Sequence, residues 1–167
     1  MTRIGLLSDT HNFVDDALLH VLESCDEIWH AGDIGDISVT DKLSSLKPLR
    51  AVYGNIDNYL LRAEFPQNQC FTSDGVPVVM THIGGYPGKY EPAARKLILQ
   101  HRPNLFIAGH SHILKVIWDE KYQLLHINPG AAGVHGFHLV RTVVRFTLDN
   151  GVIKDLEVVE LGKRGAV

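Results

Sequence analysis

Short apolar runs alternate with segments of helical periodicity over the first third of the chain. Runs at residues 4–7, 27–30 and 50–53 are each stopped by polar residues or glycine, and this pattern predicts three strands. Residues 15–23 and 38–46 repeat their apolar side chains at the spacing of an amphipathic helix. The pattern therefore predicts the order strand–helix–strand–helix–strand for this part of the chain.

Hairpin signals dominate the remaining two thirds. Three pairs of predicted strands flank short polar turns: residues 69–73 with 76–80, 114–118 with 123–127, and 140–148 with 152–161. A helix with proline in its first turn is predicted at residues 92–100, and a further strand at residues 104–108. Residues 162–167 are predicted to be a frayed tail.

These elements predict an α/β fold in which two packed mixed β-sheets, a β-sandwich, are flanked by α-helices. The length of 167 residues fits one compact domain, so we expect residues 1–167 to form a single domain. The sequence contains no repeat, low-complexity segment or linker that would divide it.

Composition and charge argue against several classes of function. The formal net charge is -3 with both signs mixed along the chain, which disfavours a duplex nucleic-acid interface or an anionic membrane surface. No apolar run reaches membrane length and the run before Ser8 is too short for a signal peptide, so we expect a cytoplasmic protein. Cys25 and Cys70 stand in no metal-binding spacing and are expected to be buried free thiols.

Polar residues with ligand chemistry cluster just beyond the ends of five predicted strands. The set consists of Asp9, His11, Asp33, Asn55, His82, His110 and His112. Each alone could be a turn residue, a helix cap or a buried imidazole, but turn chemistry does not explain four histidines in one set. Ligands of α/β folds bind at the carboxyl ends of strands, so we expect these side chains to meet in one cavity.

Oxygen and imidazole donors without cysteine are typical of sites for Mn, Fe, Zn, Ni or Co. Asp9 and His11, like His110 and His112, are two positions apart, and in extended backbone such residues point the same way. Seven ligands are too many for a single ion, so the set predicts two metal ions. Two divalent cations against two aspartates leave excess positive charge even with a bridging hydroxide, so the site should attract an anion such as a phosphate ester.

The order of these motifs resembles the calcineurin-like metallophosphoesterases. The matching segments are "SDTH", "AGD", "YGNID", "MTHIGG" and "AGHSH", and "INPGAAG" at residues 127–133 is similar to the small single-domain phosphodiesterase branch. The resemblance runs from residue 4 to about residue 133. It implies the same fold and a metal-dependent phosphoesterase, in the first place a phosphodiesterase, in which a hydroxide bridging two metals attacks phosphorus.

Transferred motif by motif, the resemblance implies two overlapping ligand sets. One ion falls to Asp9, His11, Asp33 and His112, and the other to Asp33, Asn55, His82 and His110, with Asp33 as the bridge. The implied catalytic residues are Asn55, Asp57 and His82. The expected cofactor is two divalent metal ions, manganese first, with Fe, Zn, Ni and Co as the alternatives.

The chain departs from the family at one position. Many members carry a histidine in the variable slot of Gly-Asn-x-Asp that protonates the leaving group, whereas this chain has Ile56, which cannot donate a proton. Loss of a general acid typically costs about 10²–10⁴-fold in rate. We therefore predict ready cleavage of nitrophenyl diesters and poor cleavage of alkyl esters. If the two kinds of ester were cleaved at comparable rates, another acid would be present, and His135 and His138 are the next candidates.

Four side chains are candidates for substrate binding: Lys89, Arg95, His135 and His138. Lys89 and Arg95 follow the glycine-rich segment after His82 and could meet a phosphate there, with a surface loop and a solvated helix face as the alternative. The remaining histidines, which include His30 and His126, are interpreted as structural or exposed.

Two further interpretations stay open beside the enzyme. The first is a metal-binding scaffold of the same fold with little activity, because a fold alone does not fix a function. The second is a nuclease, which the absence of a basic stripe disfavours. The expected partner is a small phosphate-ester substrate, with no duplex nucleic acid and no membrane, and a homo-oligomer is an open alternative.

Overall fold

The computed structural model describes residues 1–166 and contains twelve strands and four α-helices there. The strands are β1 (Thr2–Leu7), β2 (Glu27–His30), β3 (Leu49–Ala51), β4 (Asn68–Ser73), β5 (Val76–Thr81), β6 (Gly85–Tyr86), β7 (Lys89–Tyr90), β8 (Leu105–Ile107), β9 (Lys115–Asp119), β10 (Leu124–Asn128), β11 (Val140–Asp149) and β12 (Val152–Lys163). The helices are α1 (Asp16–Leu22), α2 (Ile37–Leu46), α3 (Tyr59–Glu64) and α4 (Pro92–His101). A short 3-10 helix covers Arg164–Ala166.

Two five-stranded mixed sheets form the body of the fold, which confirms the predicted class. The first sheet has the order β12-β11-β1-β2-β3, and the second has the order β4-β5-β8-β10-β9. Three neighbouring strands are parallel in each sheet: β1, β2 and β3 in the first, and β5, β8 and β10 in the second. The carboxyl ends of each parallel trio therefore share one edge of its sheet.

A continuous apolar layer holds the two sheets face to face. Ile4, Trp29 and Phe146 of the first sheet belong to the same buried cluster as Met80 and Ile107 of the second. Each outer face is covered by helices: Leu18 of α1 and Leu43 of α2 pack on the first sheet, and Ile98 of α4 packs on the second. Apolar burial of this kind contributes roughly 25 cal/mol per Å² to stability. Because the side chains of both sheets share this core, it fixes the position of one sheet edge relative to the other.

Three short elements have no counterpart in the sequence prediction: α3, β6 and β7. Helix α3 spans only six residues and buries a single side chain, Leu61, so its periodicity is too short to detect. It forms because Asn58 caps it, accepting a hydrogen bond from the Leu61 backbone N–H at 3.2 Å. The two-residue strands β6 and β7 pair within the glycine-rich segment that follows His82.

The predictions for the tail and for one cysteine are wrong. Residues 162 and 163 continue β12 and pair with the start of β11, while Val167 lies outside the described residues. Cys25 is buried as expected, but Cys70 is exposed, because alternate side chains of the edge strand β4 point away from the core. Within residues 1–166 no helix is long and apolar enough to cross a membrane.

Candidate metal centre

Five loops carry the seven predicted ligands, and each loop leaves the carboxyl end of a strand. Asp9 and His11 follow β1, Asp33 follows β2 and Asn55 follows β3. From the second sheet, His82 follows β5, and His110 and His112 follow β8. The two edges meet, because the His110 backbone N–H donates to Asp9 Oδ2 at 3.1 Å and Gly133 N–H donates to the carbonyl of Asp9 at 3.2 Å.

Asp9 is fully buried and uses its two carboxylate oxygens differently. Oδ2 accepts hydrogen bonds from the Ser8 hydroxyl at 2.6 Å and from the His110 backbone N–H at 3.1 Å. Oδ1 has no hydrogen-bond partner in the described chain and lies 3.1 Å from His112 Nε2 and 3.9 Å from His11 Nε2. A buried, orphaned carboxylate oxygen facing imidazole nitrogens is costly unless a cation takes the place between them.

Asp33 lies between His82 and His11. Its Oδ1 accepts from the Ile56 backbone N–H at 3.2 Å and lies 3.2 Å from His82 Nε2. Its Oδ2 lies 3.4 Å from His11 Nε2. Asp33 therefore presents one carboxylate oxygen to His82 and the other to His11, which belong to different ligand sets. A bridging ligand requires this arrangement.

The orientation of His82 is fixed from behind. Its Nδ1–H donates to the Ala31 carbonyl at 2.7 Å, which leaves the lone pair of Nε2 directed at Asp33 and Asp9. Nε2 is buried and has no hydrogen-bond partner in residues 1–166, as is also true of His11 Nε2. A ring nitrogen held by a backbone carbonyl is the usual support of a metal-ligating histidine.

Six of the side chains form two compact groups whose ligand atoms lie within 4.8 Å of one another. One group is Asp9, His11 and His112, and the other is Asp33, His82 and His110. Asn55 joins the second group, because its Oδ1 lies 3.1 Å from His110 Nδ1. The donor set and the orphaned atoms fit a pair of borderline divalent ions.

Carboxylates and imidazoles shift each other's pKa values in the metal-free protein. Burial raises the pKa of Asp9, but the nearby imidazoles of His11 and His112 outweigh burial, and the net shift is well below the usual range. The pKa of Asp33 is lowered in the same way by His11 and His82. Asp33 and Asp9 raise the pKa of His11 to about 9. The site therefore concentrates negative charge where protons and metal ions compete.

The backbone of the ligand loops differs from the extended conformation predicted for the paired motifs. Five ligands have φ in the left-handed region: Asp9 at 55°, His11 at 42°, Asp33 at 54°, His110 at 72° and His112 at 62°. Non-glycine residues adopt this region uncommonly, and they cluster at functional sites when they do. Tight turns, rather than strand alternation, aim these side chains at one point.

Close approach explains the glycines beside Asp33. A Cβ at Gly54 would collide with Asp33 Oδ1 and with the backbone nitrogen of Asp33. A Cβ at Gly32, which has φ of 100°, would lie 2.6 Å from His82 Nδ1. Both loops pack backbone directly against a ligand side chain, which only glycine permits.

Two supporting residues lie behind the ligands. Asp57, predicted with the catalytic residues, is buried and accepts hydrogen bonds from the backbone N–H groups of Ile34, Gly35 and Gly54, so it joins the loops after β2 and β3. We therefore describe Asp57 as a positioning residue.

His30, interpreted from the sequence only as structural or exposed, is fully buried. It accepts from Gly32 N–H at 3.1 Å and contacts the Thr10 hydroxyl at 3.0 Å. The signal for it in the sequence is its place one residue before the Ala31-Gly32-Asp33 motif.

Two clefts border the metal centre and share Asn55. The first, of about 560 Å³, passes His82, and we call it the Arg62 cleft after the α3 side chain that lines it. The second, of about 530 Å³, passes His11 and His112, and we call it the Phe137 cleft. Both volumes fall within the range of small-molecule sites, which is about 300–1,000 Å³.

The structure brings two of the four predicted substrate contacts to the centre. His135 and His138 line the Phe137 cleft, and the His135 ring stacks on the His11 ring with centroids 4.5 Å apart. Lys89 and Arg95 line neither cleft. Both are exposed, and Arg95 donates to the Tyr122 hydroxyl at 3.2 Å, because α4 presents this arginine to the surface.

Comparison with known proteins identifies relatives of this chain. A probable metallophosphoesterase of Methanothermobacter thermautotrophicus is 28% identical over 136 residues, which cover 78% of this chain and 77% of that protein.

Two solved structures match the fold. A predicted phosphoesterase of Streptococcus pneumoniae superposes with a TM-score of 0.72 at 20% identity, covering 96% of this chain and 90% of that one. Vps29 of Entamoeba histolytica complexed with Zn²⁺ superposes with a TM-score of 0.68 at 17% identity, covering 96% and 99%. The family model of the calcineurin-like phosphoesterase superfamily domain matches residues 2–151, and the chain belongs to that superfamily.

Proposed function

We propose that this chain is a phosphodiesterase that hydrolyses small phosphate diesters at a pair of divalent metal ions. The observation that carries the proposal is the set of buried, orphaned donor atoms, Asp9 Oδ1, His11 Nε2 and His82 Nε2, which converge across the two ligand groups. A buried imidazole without partners in the described chain also occurs at His126, but the three atoms named here come from loops of both sheets and face one another, and metal coordination would satisfy all three.

The residues divide between holding and orienting. Asp9, His11 and His112 would hold one ion, Asn55, His82 and His110 the other, and Asp33 would serve both. When bound, the two ions supply an activated water nucleophile and Lewis-acid stabilisation of the charge that develops on the phosphoryl oxygens. The chain contributes rigid positioning, since Ala31 orients His82, and Ser8 and the His110 backbone orient Asp9.

Leaving-group chemistry distinguishes a diester with a good leaving group from an alkyl ester. Ile56 lines the Phe137 cleft and offers no proton. His138 uses Nε2–H on the Gly133 carbonyl at 2.8 Å, so its reach is limited. His135 is exposed in the same cleft and would be the acid candidate if alkyl and nitrophenyl diesters were cleaved at comparable rates.

Hydrolysis of bis(4-nitrophenyl) phosphate by apo protein reloaded with single metals tests the proposal. We expect turnover with Mn²⁺ or another divalent ion of this group, little turnover of 4-nitrophenyl phosphate, and slow cleavage of dialkyl phosphates. Asp33→Asn should abolish turnover, while Asp41→Asn, on the surface of α2, should retain it. A metal-loaded wild type that cleaves none of these esters contradicts the proposal.

A scaffold is the second candidate, because apolar side chains surround the metal centre. Phe137 is 100% exposed and Ile113 is 60% exposed, and both line the cleft beside it. Vps29, which shares the fold, is named for vacuolar protein sorting. Metal content equal to two ions per chain without turnover would favour the scaffold. Manganese as native metal, a cytoplasmic location and a homo-oligomer stay predictions.

A further inference from the structure

The two clefts beside the metal centre differ in chemistry. The Phe137 cleft combines the apolar side chains of Ile56, Ile113 and Phe137 with histidines. The Arg62 cleft has apolar residues as well, at positions 83, 92 and 93, but it alone presents an arginine and a glutamate, with the polar side chains of Tyr53, Arg62, Gln67, Asn68, Thr81 and Glu91. A diester has two ester arms on one phosphorus, so a phosphate at the shared residue Asn55 can place one arm in each cleft.

Arg62 is held in place by the loop that carries Asn55. Its Nε–H donates to the Asp57 carbonyl at 2.7 Å, and Nη2 donates to the Asn55 carbonyl at 3.2 Å. The guanidinium also lies 4.7 Å from the centroid of the Tyr53 ring. Two of the five guanidinium N–H groups therefore donate hydrogen bonds, and the other three have no acceptor within the described chain. The guanidinium is thus a fixed hydrogen-bond donor on the wall of the cleft.

The charges that line this cleft balance. Arg62 and Glu91 are the only Lys, Arg, Asp or Glu side chains among its lining residues. An anionic arm would be attracted by Arg62 but repelled by Glu91, and a cationic arm would meet the reverse. A hydroxyl group both donates and accepts, so it can hydrogen-bond to a guanidinium N–H or to a carboxylate oxygen without charge repulsion.

The amide side chains add donors and acceptors of the same kind. Asn68 Oδ1 accepts from the Thr81 hydroxyl at 2.7 Å, which orients the Asn68 amide and leaves its NH₂ group for another acceptor. The Tyr53 ring lies beneath the Arg62 guanidinium and supports it on the same wall. A ring that carries several hydroxyl groups matches this set of fixed polar groups.

We propose that the Arg62 cleft is the subsite for a neutral sugar arm of the diester, with Arg62 and Glu91 as its specificity-determining residues. This inference rests on the proposed phosphodiesterase function, and it adds the chemical class of one ester group. The other arm lies in the Phe137 cleft and is apolar or aromatic.

Matched substrates with one leaving group test the subsite. The pair is glucose 6-(4-nitrophenyl phosphate) and cyclohexylmethyl 4-nitrophenyl phosphate. Both have a six-membered ring on the second ester arm, but only the glucose ring carries oxygen atoms and hydroxyl groups. Each net hydrogen bond is worth about 1 kcal/mol, which is about fivefold. We expect kcat/KM for the glucose ester to exceed that of the cyclohexyl ester by at least about tenfold, chiefly through KM.

Variants show whether the named residues produce this ratio. Arg62→Met and Glu91→Ala should each lower the ratio about fivefold, because each removes one hydrogen bond to the sugar. Glu91 makes no side-chain capping bond to α4, so its variant leaves that helix cap intact. Arg95→Met removes an exposed arginine outside both clefts and should leave the ratio unchanged. A thymidine 5′-(4-nitrophenyl phosphate) arm distinguishes a nucleoside from a hexose as the better ligand.

The ratio separates the subsite from the metal centre. Loss of metal support in Arg62→Met lowers both rates equally and leaves the ratio as it was, whereas loss of a sugar contact changes the ratio. A wild-type ratio near unity, or a ratio that persists in both variants, overturns the inference.

A binding measurement keeps the inference testable without turnover. Phenylphosphonate esters of the same two alcohols, titrated into zinc-loaded protein, should shift the side-chain amide resonances of Gln67 and Asn68 only with the glucose ester. Selective shifts in a protein that hydrolyses neither nitrophenyl diester would support the subsite and contradict the phosphodiesterase function. Hydrolysis of the diesters without selective shifts would support the phosphodiesterase function and contradict the subsite.

Discussion

At the scale of single residues, Gly54 decides whether Asp33 can take its position. A Cβ at residue 54 would collide with Asp33 Oδ1, the atom that faces His82. We predict that Gly54→Ala lowers metal affinity at least about tenfold, a typical cost of disturbing the support of a ligand. Titration calorimetry with Zn²⁺ measures the change. Gly165→Ala adds a Cβ that meets nothing and serves as the control; equal affinity in both variants would contradict the argument.

His126 is a second residue whose environment has a measurable consequence. It is fully buried in β10 among the rings of Tyr86, Tyr90 and Phe106, and neither ring nitrogen has a hydrogen-bond partner in the described chain. Burial lowers its pKa to about 4, a shift that the charge of Asp119 opposes and that of Lys115 reinforces.

The unfolded chain binds this proton near the ordinary histidine pKa of about 6.5. Between that pKa and about 4 the unfolded state therefore holds more protons, so stability falls as pH falls. We predict that the wild type loses about 2 kcal/mol more than His126→Leu between pH 7 and pH 4.5, from urea unfolding of both. His20→Gln, at an exposed position, should follow the wild type. Parallel pH profiles for wild type and His126→Leu would refute this account.

At the scale of elements, the loops after β2 and β3 depend on one carboxylate. Asp57 accepts from Ile34 N–H at 3.2 Å, Gly35 N–H at 2.9 Å and Gly54 N–H at 2.7 Å. Asp57→Asn replaces one acceptor oxygen by an NH₂ group that faces a backbone donor. We predict a loss of about 1–3 kcal/mol in the free energy of unfolding and weaker metal binding, because the loops carrying Asp33 and Asn55 come apart.

A matched substitution controls for the chemistry of this change. Asp36→Asn alters the exposed cap of α2, where either side chain can accept from Ser38 N–H, so its stability should stay within about 0.5 kcal/mol of the wild type. Urea denaturation measures both variants. Comparable losses at positions 36 and 57 would show that Asp57 does not join the loops.

At the scale of the whole molecule, metal binding and folding are coupled. The proposed ligands come from five loops between residues 9 and 112 and from both sheets, so the unfolded chain does not present them together. We predict that a free metal concentration of about 100 times the dissociation constant stabilises the native state by about 2.7 kcal/mol for each ion bound. Thermal melts after chelation and after reloading measure the shift. Asp33→Asn should show little of it, and an unchanged wild-type Tm would reject the coupling.

The sequence by itself determined the strand-ending motifs and the two-sheet class. Apolar runs and helical periodicity are local properties, and so is the position of Asp9 or His110 just beyond a strand. Parallel strands align their carboxyl ends, so a list of strand ends already indicates which residues share an edge. The family motifs could be identified for the same reason, since each is a short contiguous segment.

Only the tertiary structure decided how these segments meet. The left-handed turns at Asp9 and Asp33, the place of Asp33 between His11 and His82, and the Arg62 cleft beside α3 all depend on contacts between residues far apart in the chain. The same contacts direct Arg95 to the surface rather than to the centre. Local patterns encode which side chains are available, but packing of one sheet against the other sets their distances and orientations, and those distances determine the chemistry.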